Sequence, residues 1–313
     1  MIVTSTVGRI DAVIGRFEGP IMAYMEKEEG DFAANSLKAK LYNVKSSKHY
    51  SESVAGMLGV GDMVATDGAV PYDDLQEGYT KTFIHQVFKK GIEIKRETID
   101  DALIIDMENQ SSTLMDAANR TNEKFVHAPF NNASSTTFAL AGKTFTAVGF
   151  DGLALGSTAH TSKSGKAANQ SNYQSGYALT PANLKLVEEA MKAFLTDINE
   201  RANIIPDTLF VPFELREEAW ELTQSVGKVG TANNNKNPYE MKYNVIVSPW
   251  LTSATRWFVM DSKYMKRCLY WVNRKPLEIN SQKDFNTQNW QIQAYERYSL
   301  GFTDWKWVHV CNT

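Results

Sequence analysis

Residues 79–88 read YTKTFIHQVF, and residues 56–68 before them read GMLGVGDMVATDG. The first run is rich in β-branched and aromatic residues, which favour strands. The second is rich in glycine and shows no periodicity. A further strand-like run covers residues 40–44, on the other side of the glycine-rich segment. Two extended arms around a long tip predict a protruding β-hairpin over residues 42–88.

A hairpin of this length indicates a binding partner. Long structureless connections are uncommon in compact domains unless they bind something or are disordered. A long exposed strand edge is also an aggregation risk unless pairing is its purpose. We therefore expect the hairpin to contact another molecule.

A long helix is predicted after the hairpin. Thr98 can act as its N-cap, and Asp100 and Asp101 would interact favourably with the helix dipole. From residue 99 to about residue 125 the helix would run about 40 Å, at ~1.5 Å per residue. Because its apolar stripe is thin, we expect it to lie across a surface. The stripe consists of Leu103, Met107, Leu114, Ala118 and Phe125.

The remaining segments alternate between helical and strand patterns. The strongest helix signal places Thr180 at the N-cap and Pro181 at the first helical position, ahead of a periodic apolar run to residue 198. Strands are predicted over residues 208–211, 243–247 and 257–260, with a helix ended by Gly227 between the first two. Residues 268–310 alternate in places and predict a sheet of long strands. Residues 6–25 predict a short helix followed by an irregular arm.

The composition limits the class of protein. Of 313 residues, 43% are hydrophobic and 11% aromatic, which supports a core and argues against wholesale disorder. A formal net charge of −3 excludes an overall basic coat for nucleic acid. Two cysteines, Cys268 and Cys311, exclude a disulfide-stapled scaffold and a cysteine-built zinc site. Neither a secretory signal nor a membrane-spanning run is recognisable, so we expect synthesis and use, or assembly, in a cytoplasm.

His160 is the sharpest candidate for a catalytic group. It could act as a general base, with Asp151 or Ser157 near it in sequence. The alternative, which we favour, is a hydrogen-bonded histidine that holds a loop. Nucleophilic serine catalysis also needs a Gly-x-Ser-x-Gly turn, which the chain lacks.

Other possible sites have simpler structural interpretations. Residues 164–166 lack the spacing of a phosphate-binding loop and predict a solvated turn. The pair Asp100 and Asp101 is typical of a helix start rather than of acid–base chemistry. The basic strip at Lys89 and Lys90 alternates with acids farther along, which favours a charged β-ribbon over a nucleic-acid site. The tryptophans of the last segment favour a sheet core over a ligand platform: Trp290, Trp305 and Trp307.

Local strings in the middle of the chain resemble a known family. Residues 151–160, DGLALGSTAH, are followed by ANQSN at 168–172, LFVP at 209–212, PWL at 249–251 and RWFV at 256–259. With the order of elements, these strings resemble the major capsid proteins of tailed bacteriophages, with the Hong Kong 97-type fold, and are similar to the Mu-like major head subunit. One departure is Thr161, where the family often has proline.

The resemblance implies an α+β fold with four parts. These are an N-terminal arm (1–39), an extended loop formed by the hairpin (40–97), a peripheral domain and an α/β axial domain (144–265). The peripheral domain would combine a spine helix (98–143) with a long-stranded antiparallel sheet (266–313). The extended loop would lie over a neighbouring subunit, and the axial tips would meet at the centre of a capsomer.

The resemblance also implies a function without catalysis. The chain would self-assemble into hexamers and pentamers of an icosahedral shell in the virion that encloses double-stranded DNA, with no catalytic residue, cofactor or metal. Its partners would be copies of itself and a portal. Because little chain precedes the hairpin, the resemblance also implies a separate scaffolding protein, or an already mature form. Assembly would take place in the host bacterial cytoplasm. The self-assembly candidates are Tyr79, Phe83, Lys89, Lys90, Asp62 and Asp74.

Three alternatives stay open from the sequence. An encapsulin-like compartment would use the same fold around a cargo protein. A hydrolase would use His160 but needs a nucleophile that the sequence does not show. A tail or neck component would explain the β-rich C-terminal segment but not the long hairpin with its helix.

Overall fold

The computed structural model describes residues 36–57, 59–70, 72, 77–101, 104–227 and 235–313, together with Lys27, Gly30 and Phe32. The short helix and arm predicted over residues 6–25 lie outside the described residues. No helix of the described part of the chain is long and apolar enough to cross a membrane.

The predicted hairpin is present, but its arms differ from those expected. Strand β2 (Ser51–Met57) pairs antiparallel with β3 (Glu77–Ile84), from Ser51 opposite Ile84 to Met57 opposite Glu77. The earlier run instead forms a one-turn helix α1 (Lys38–Leu41) and strand β1 (Asn43–Ser46) outside the hairpin. Burial explains the difference, because the Tyr42 hydroxyl donates a hydrogen bond to the buried Val126 carbonyl at 2.6 Å.

A four-stranded sheet carries the hairpin. Its order is β1–β11–β12–β4, where β4 spans Gln86–Ile94, β11 Leu269–Lys283 and β12 Trp290–Phe302. Strand β1 runs parallel to β11, and the other pairs are antiparallel. Trp290, Ile292 and Ala294 are all buried on one side of β12, as their alternation predicts. Strands β1 and β4 form the edges of this sheet.

The long helix differs from the prediction at both ends. Thr98 lies inside a separate short helix α2 (Arg96–Asp100), and the long helix α3 runs from Ile104 to Asn131. Its second half is buried in the core rather than lying across a surface. The sequence misleads here because polar residues of α3 have partners inside the molecule. Asn122 bonds to Glu296 at 3.1 Å, and His127 bonds to Ser248 at 2.8 Å.

A second, five-stranded sheet forms the other half of the molecule. Its order is β7–β13–β10–β8–β9, with β7 Tyr173–Ser175, β8 Thr208–Pro212, β9 Asn244–Ser248, β10 Trp257–Met260 and β13 Val308–Asn312. Helix α4 (Pro181–Lys192) begins as predicted, since the Thr180 side chain accepts a hydrogen bond from the Asn183 amide. Helix α5 (Arg216–Gln224) follows β8. Both helices pack on one face of the sheet through a shared apolar cluster.

The remaining elements connect the two halves. Strands β5 (Thr137–Leu140) and β6 (Lys143–Thr146) form a small hairpin, and helix α6 (Ser262–Cys268) leads from β10 into β11. The main core lies between the two sheets and includes Phe130, Phe258 and Trp307 with the second half of α3. The edges of the sheets and the β2–β3 hairpin therefore lie outside this main core.

Candidate assembly surface

His160 holds a loop, as the favoured interpretation predicts. Its ring is 1% exposed, with Nδ1 2.6 Å from Asp151 Oδ2 and Nε2 2.9 Å from Asn172 Oδ1. The ring also stacks on Trp305 with centroids 4.1 Å apart. Asn172 donates to the carbonyls of Leu155 and Val308, which fixes its oxygen toward the histidine. Both ring nitrogens are thus engaged by side chains of the loop that His160 holds.

The other candidate sites are structural as well. Gly165 adopts a φ of +67°, and the hydroxyls of Ser162 and Ser164 both bond to the Asp197 carbonyl, so residues 164–166 form a turn. The three tryptophans of the last segment are buried in the core. Within the described residues, no group of three or more His, Cys, Asp or Glu side chains is arranged to hold a metal ion.

Phe83 belongs to the base of the hairpin and is buried within its own chain. Its ring is 3% exposed and packs against Tyr270 with centroids 6.0 Å apart. Facing it, Gly301 leaves so little room that an added Cβ would lie 2.8 Å from the Phe83 ring. The structure gives Phe83 a packing role at the base of the hairpin, and its part in self-assembly stays a prediction. Its side chain points inward because residues alternate across a strand, and the inward side of β3 meets the sheet.

Lys81 lies on the same side of β3 as Phe83, two residues earlier. Its Nζ donates hydrogen bonds to the carbonyls of Val148 and Phe302. Burial lowers the pKa of this amine to about 8, although the negative charge of Asp151 opposes the shift. Sequence reasoning gave Lys81 no inward role. The alternation Lys81-Thr-Phe83 was the signal that could have revealed it.

Four other self-assembly candidates have described positions. Tyr79 is partly buried, with the Lys163 amine 5.1 Å from its ring centroid. Lys89 and Lys90 are exposed on the edge strand β4, and Asp62 is exposed beyond the end of β2. Asp74 lies outside the described residues.

The hairpin tip, residues 59–70 and 72, has no regular structure and is exposed along its whole length. It carries large apolar side chains that a monomer would leave in water, including Met63 at 97% and Tyr72 at 92% exposure. A contiguous exposed apolar segment marks a site for another surface. The full set is Val60, Met63, Val64, Val70 and Tyr72.

A second exposed apolar surface lies beside strand β9, and sequence reasoning missed it. Trp220 of α5 is 61% exposed and borders a groove of about 500 Å³ with Val245 and Val247 of β9. Strand β9 is an edge strand, so its outer backbone groups lack a strand partner within the described residues. Exposed tryptophan beside an unpaired edge is typical of a contact between subunits.

Comparison with known proteins identifies the family of this chain. A family model described as phage capsid protein matches residues 78–311. The chain belongs to the phage capsid protein family. No curated protein sequence matches it.

Solved structures share the fold of this capsid protein at low sequence identity. The bacteriophage JBD30 capsid is 14% identical and covers 69% of this chain and 91% of its own, with a TM-score of 0.54. A chain of Mycobacterium phage Patience is 11% identical and covers 96% and 87%, with a TM-score of 0.55. The capsid protein therefore has the predicted α+β, Hong Kong 97-type fold. As a phage capsid protein, it is a component of the virion and assembles into a multimeric shell.

A virus-like particle from Pyrococcus furiosus also shares the fold, with 8% identity, coverage of 92% and 98%, and a TM-score of 0.53. At this identity the likeness concerns the fold alone. The family match supports the phage capsid rather than a compartment for protein cargo. The capsid family is structural, which also removes the hydrolase alternative.

Proposed function

We propose that the protein forms the hexamers and pentamers of an icosahedral shell that encloses double-stranded DNA. The exposed apolar tip of the hairpin carries this proposal. Residues 60–70 hold four large apolar side chains on a segment without a fold of its own. Burying side chains of this size contributes about 1.5–3 kcal/mol each, and a second copy is the surface that a shell supplies.

The proposed parts of the subunit follow the two sheets. The β2–β3 hairpin serves as the extended loop (40–97), with residues 1–39 as the N-terminal arm. Helix α3 with strands β11 and β12 forms the peripheral domain (98–143 and 266–313), and β1 and β4 from the range 40–97 complete its sheet. Strands β7 to β10, with α4 and α5, belong to the axial domain (144–265), and β13 from the range 266–313 joins their sheet. Support comes from two further apolar clusters, one on each sheet, outside the main core that the two sheets share.

Two edges would supply further contacts between copies. The β9 edge with Trp220 lies in the proposed axial domain, where neighbouring subunits of one capsomer would pack side by side. The β4 edge carries Lys89 and Lys90, whose charges prevent random strand pairing while leaving them able to meet acidic groups of a neighbour. The partly buried Tyr79 would position the hairpin through its contact with Lys163.

The proposed partners are a portal, a separate scaffolding protein and the packaged DNA, with assembly in the cytoplasm of a bacterial host. DNA would be held by geometry and by non-specific contacts. A formal net charge of −3 supports this, because a strongly basic lining would bind the genome tightly.

Expression of the chain alone and together with its neighbouring phage genes tests the proposal. Size-exclusion chromatography with light scattering and negative-stain electron microscopy should show closed shells, or pentamers and hexamers. Nuclease-protected double-stranded DNA in particles made with the packaging genes would separate a phage head from a compartment for protein. A chain that stays monomeric and inert in every co-expression would contradict the proposal.

A further inference from the structure

The hairpin tip is acidic as well as apolar. Between Lys48 and Lys81 the sequence has no lysine or arginine and six acidic residues: Glu52, Asp62, Asp67, Asp73, Asp74 and Glu77. Asp62 and Asp67 are both exposed. A surface that receives the tip must bury its apolar side chains and must also offer positive charge to these carboxylates.

Opposite charge is concentrated on a surface of the first half of the molecule, which we name the basic rim. It consists of residues 36–48 and 262–277, which together contain nine lysines and arginines and no aspartate or glutamate. The chain as a whole has a formal net charge of −3, so this concentration is local. Six of the nine side chains are exposed: Lys40, Lys45, Lys48, Lys263, Arg267 and Lys275.

The fold brings the two segments of the basic rim together. Strand β1 pairs in parallel with the start of β11, with Lys45 opposite Val272. The Lys266 amine bonds to the Ala39 and Tyr42 carbonyls, which joins α6 to α1. The Lys45 amine lies 4.4 Å from the ring centroid of Tyr270. The rim therefore surrounds the β1 edge of the four-stranded sheet.

Acidic groups near the basic rim leave much of its charge available. Glu278 pairs with Lys275 at 2.8 Å, Glu52 bonds to Ser47, and Asp261 caps α6 with its buried carboxylate. Asp207 and Asp304 accept hydrogen bonds from Ser262 and Tyr264 of α6. Glu123 is buried close to Lys38. Within the described residues, no salt bridge engages the exposed side chains of Lys263 and Arg267, which stand out from α6.

The tip begins beside the buried side of α6, away from the exposed side chains of the rim. Gly59 lines a cavity with Tyr264 and Cys268 of α6, whereas Lys263 and Arg267 are exposed on that helix. Strand β2 has seven residues and extends roughly 20 Å at ~3.3 Å per residue. At its far end Gly59 lies beside Ile198, in the other half of the same chain. One subunit thus carries both an acidic tip and a basic rim. This suits a head-to-tail contact, in which the tip of one copy binds the rim of the next copy.

We infer that the hairpin tip of one subunit docks on the basic rim of a neighbouring copy, with Asp62 and Asp67 facing Lys263 and Arg267. This inference rests on the proposed function, because it names the surface that receives the extended loop. The apolar tip residues supply most of the buried area, and the charges select the orientation. A contact of this kind, repeated head to tail, closes into rings and shells.

Charge exchange between the two surfaces tests the inference. The rim variant combines Lys263→Glu with Arg267→Glu, the tip variant combines Asp62→Lys with Asp67→Lys, and the exchanged variant carries all four changes. Reversing either surface places like charges opposite each other, so each pair should lower the assembled fraction by about tenfold or more. The exchanged variant should recover to within about threefold of the unmodified chain. Circular dichroism and thermal unfolding establish that each variant is folded.

A matched control is Lys185→Glu with Lys192→Glu, two exposed lysines of α4 outside the rim, which should leave assembly unchanged. The inference is overturned if the rim variant assembles like the unmodified chain, or if the exchanged variant is no better than its parents. A rim variant that assembles normally but loses binding to a 30-base-pair duplex would assign the rim to DNA instead. If the unmodified chain never assembles, the proposed function fails and not this docking alone.

Discussion

The base and the tip of one hairpin differ in how they use similar residues. At the base, Phe83 and Lys81 point inward and are held by the sheet, so an apolar ring and an amine are both fully engaged. At the tip, residues 59–70 carry large apolar side chains that are between 55% and 97% exposed. The difference shows that apolar content alone does not define a core. At the base, the residues are paired in strands, so successive side chains point to opposite faces and one face packs inward. The tip has no regular structure and therefore has no inward face.

Removing the tip while keeping the base gives the largest expected effect. Met57 and Glu77 are paired across the hairpin, so residues 58–76 can be replaced by Asn-Gly, a favoured two-residue turn. We expect assembly to be abolished while the midpoint of thermal unfolding stays within about 2 °C, because the tip adds little to the core. Light scattering and calorimetry measure the two quantities. Normal shells from this variant would show that assembly does not need the tip. The functional difference between tip and base would then be lost.

Truncating a side chain at the base should have the opposite pattern, in which the stability of the subunit falls. Phe83→Ala is expected to lower the free energy of unfolding by about 3–5 kcal/mol, since it leaves a cavity against Tyr270 and Gly301. Met63→Ser at the tip is the matched control and should change it by less than about 0.5 kcal/mol. Urea denaturation of the unassembled subunit measures both. Equal losses of stability would remove the distinction between base and tip.

The smallest expected effect concerns the buried amine of the base. The pKa of Lys81 is about 8 in the folded chain, against 10.5 for an ordinary lysine. Between these values the unfolded chain binds more protons, so the contribution of this group to stability rises with pH from 8 to 10.5, by about 1–3 kcal/mol. Below pH 8 the amine is protonated in the folded and in the unfolded chain. The folded chain then bears the full free-energy cost of burying this charge.

Comparison with Lys81→Met isolates this contribution, because tyrosines also titrate at the upper end of the range. Urea denaturation between pH 7.5 and 10.5 should show stability rising more steeply with pH in the unmodified chain than in the variant. Parallel pH profiles would show that Lys81 is solvated like a tip residue.

Several elements could be predicted from the sequence because local chemistry decides them. The start of α4 follows from Thr180 and Pro181, which cap and pre-order a helix in any surroundings. Strand β10 and the buried side of β12 follow from their runs of apolar residues. His160 was correctly interpreted as a loop-holding residue, since no nucleophile accompanies it in the sequence.

The errors concern partners that are distant along the chain. Residues 40–46 look like one arm of a hairpin, yet β1 pairs with β11, more than 220 residues away. The second half of α3 looks half-polar and is buried because Asn122 and His127 find partners on β12 and at the end of β9. Trp220 gave no signal in the sequence, because exposure beside an edge strand depends on which strands pair.

By itself the sequence determined the α+β class, the presence of a hairpin and long helix, and the family resemblance, because strand alternation, helix caps and short motifs are local. Tertiary structure alone decided which side of the hairpin is core, where its tip stands and that two basic segments form one surface. These features depend on pairing between residues far apart, since long-range strand registers and buried hydrogen bonds leave no periodic trace in either partner.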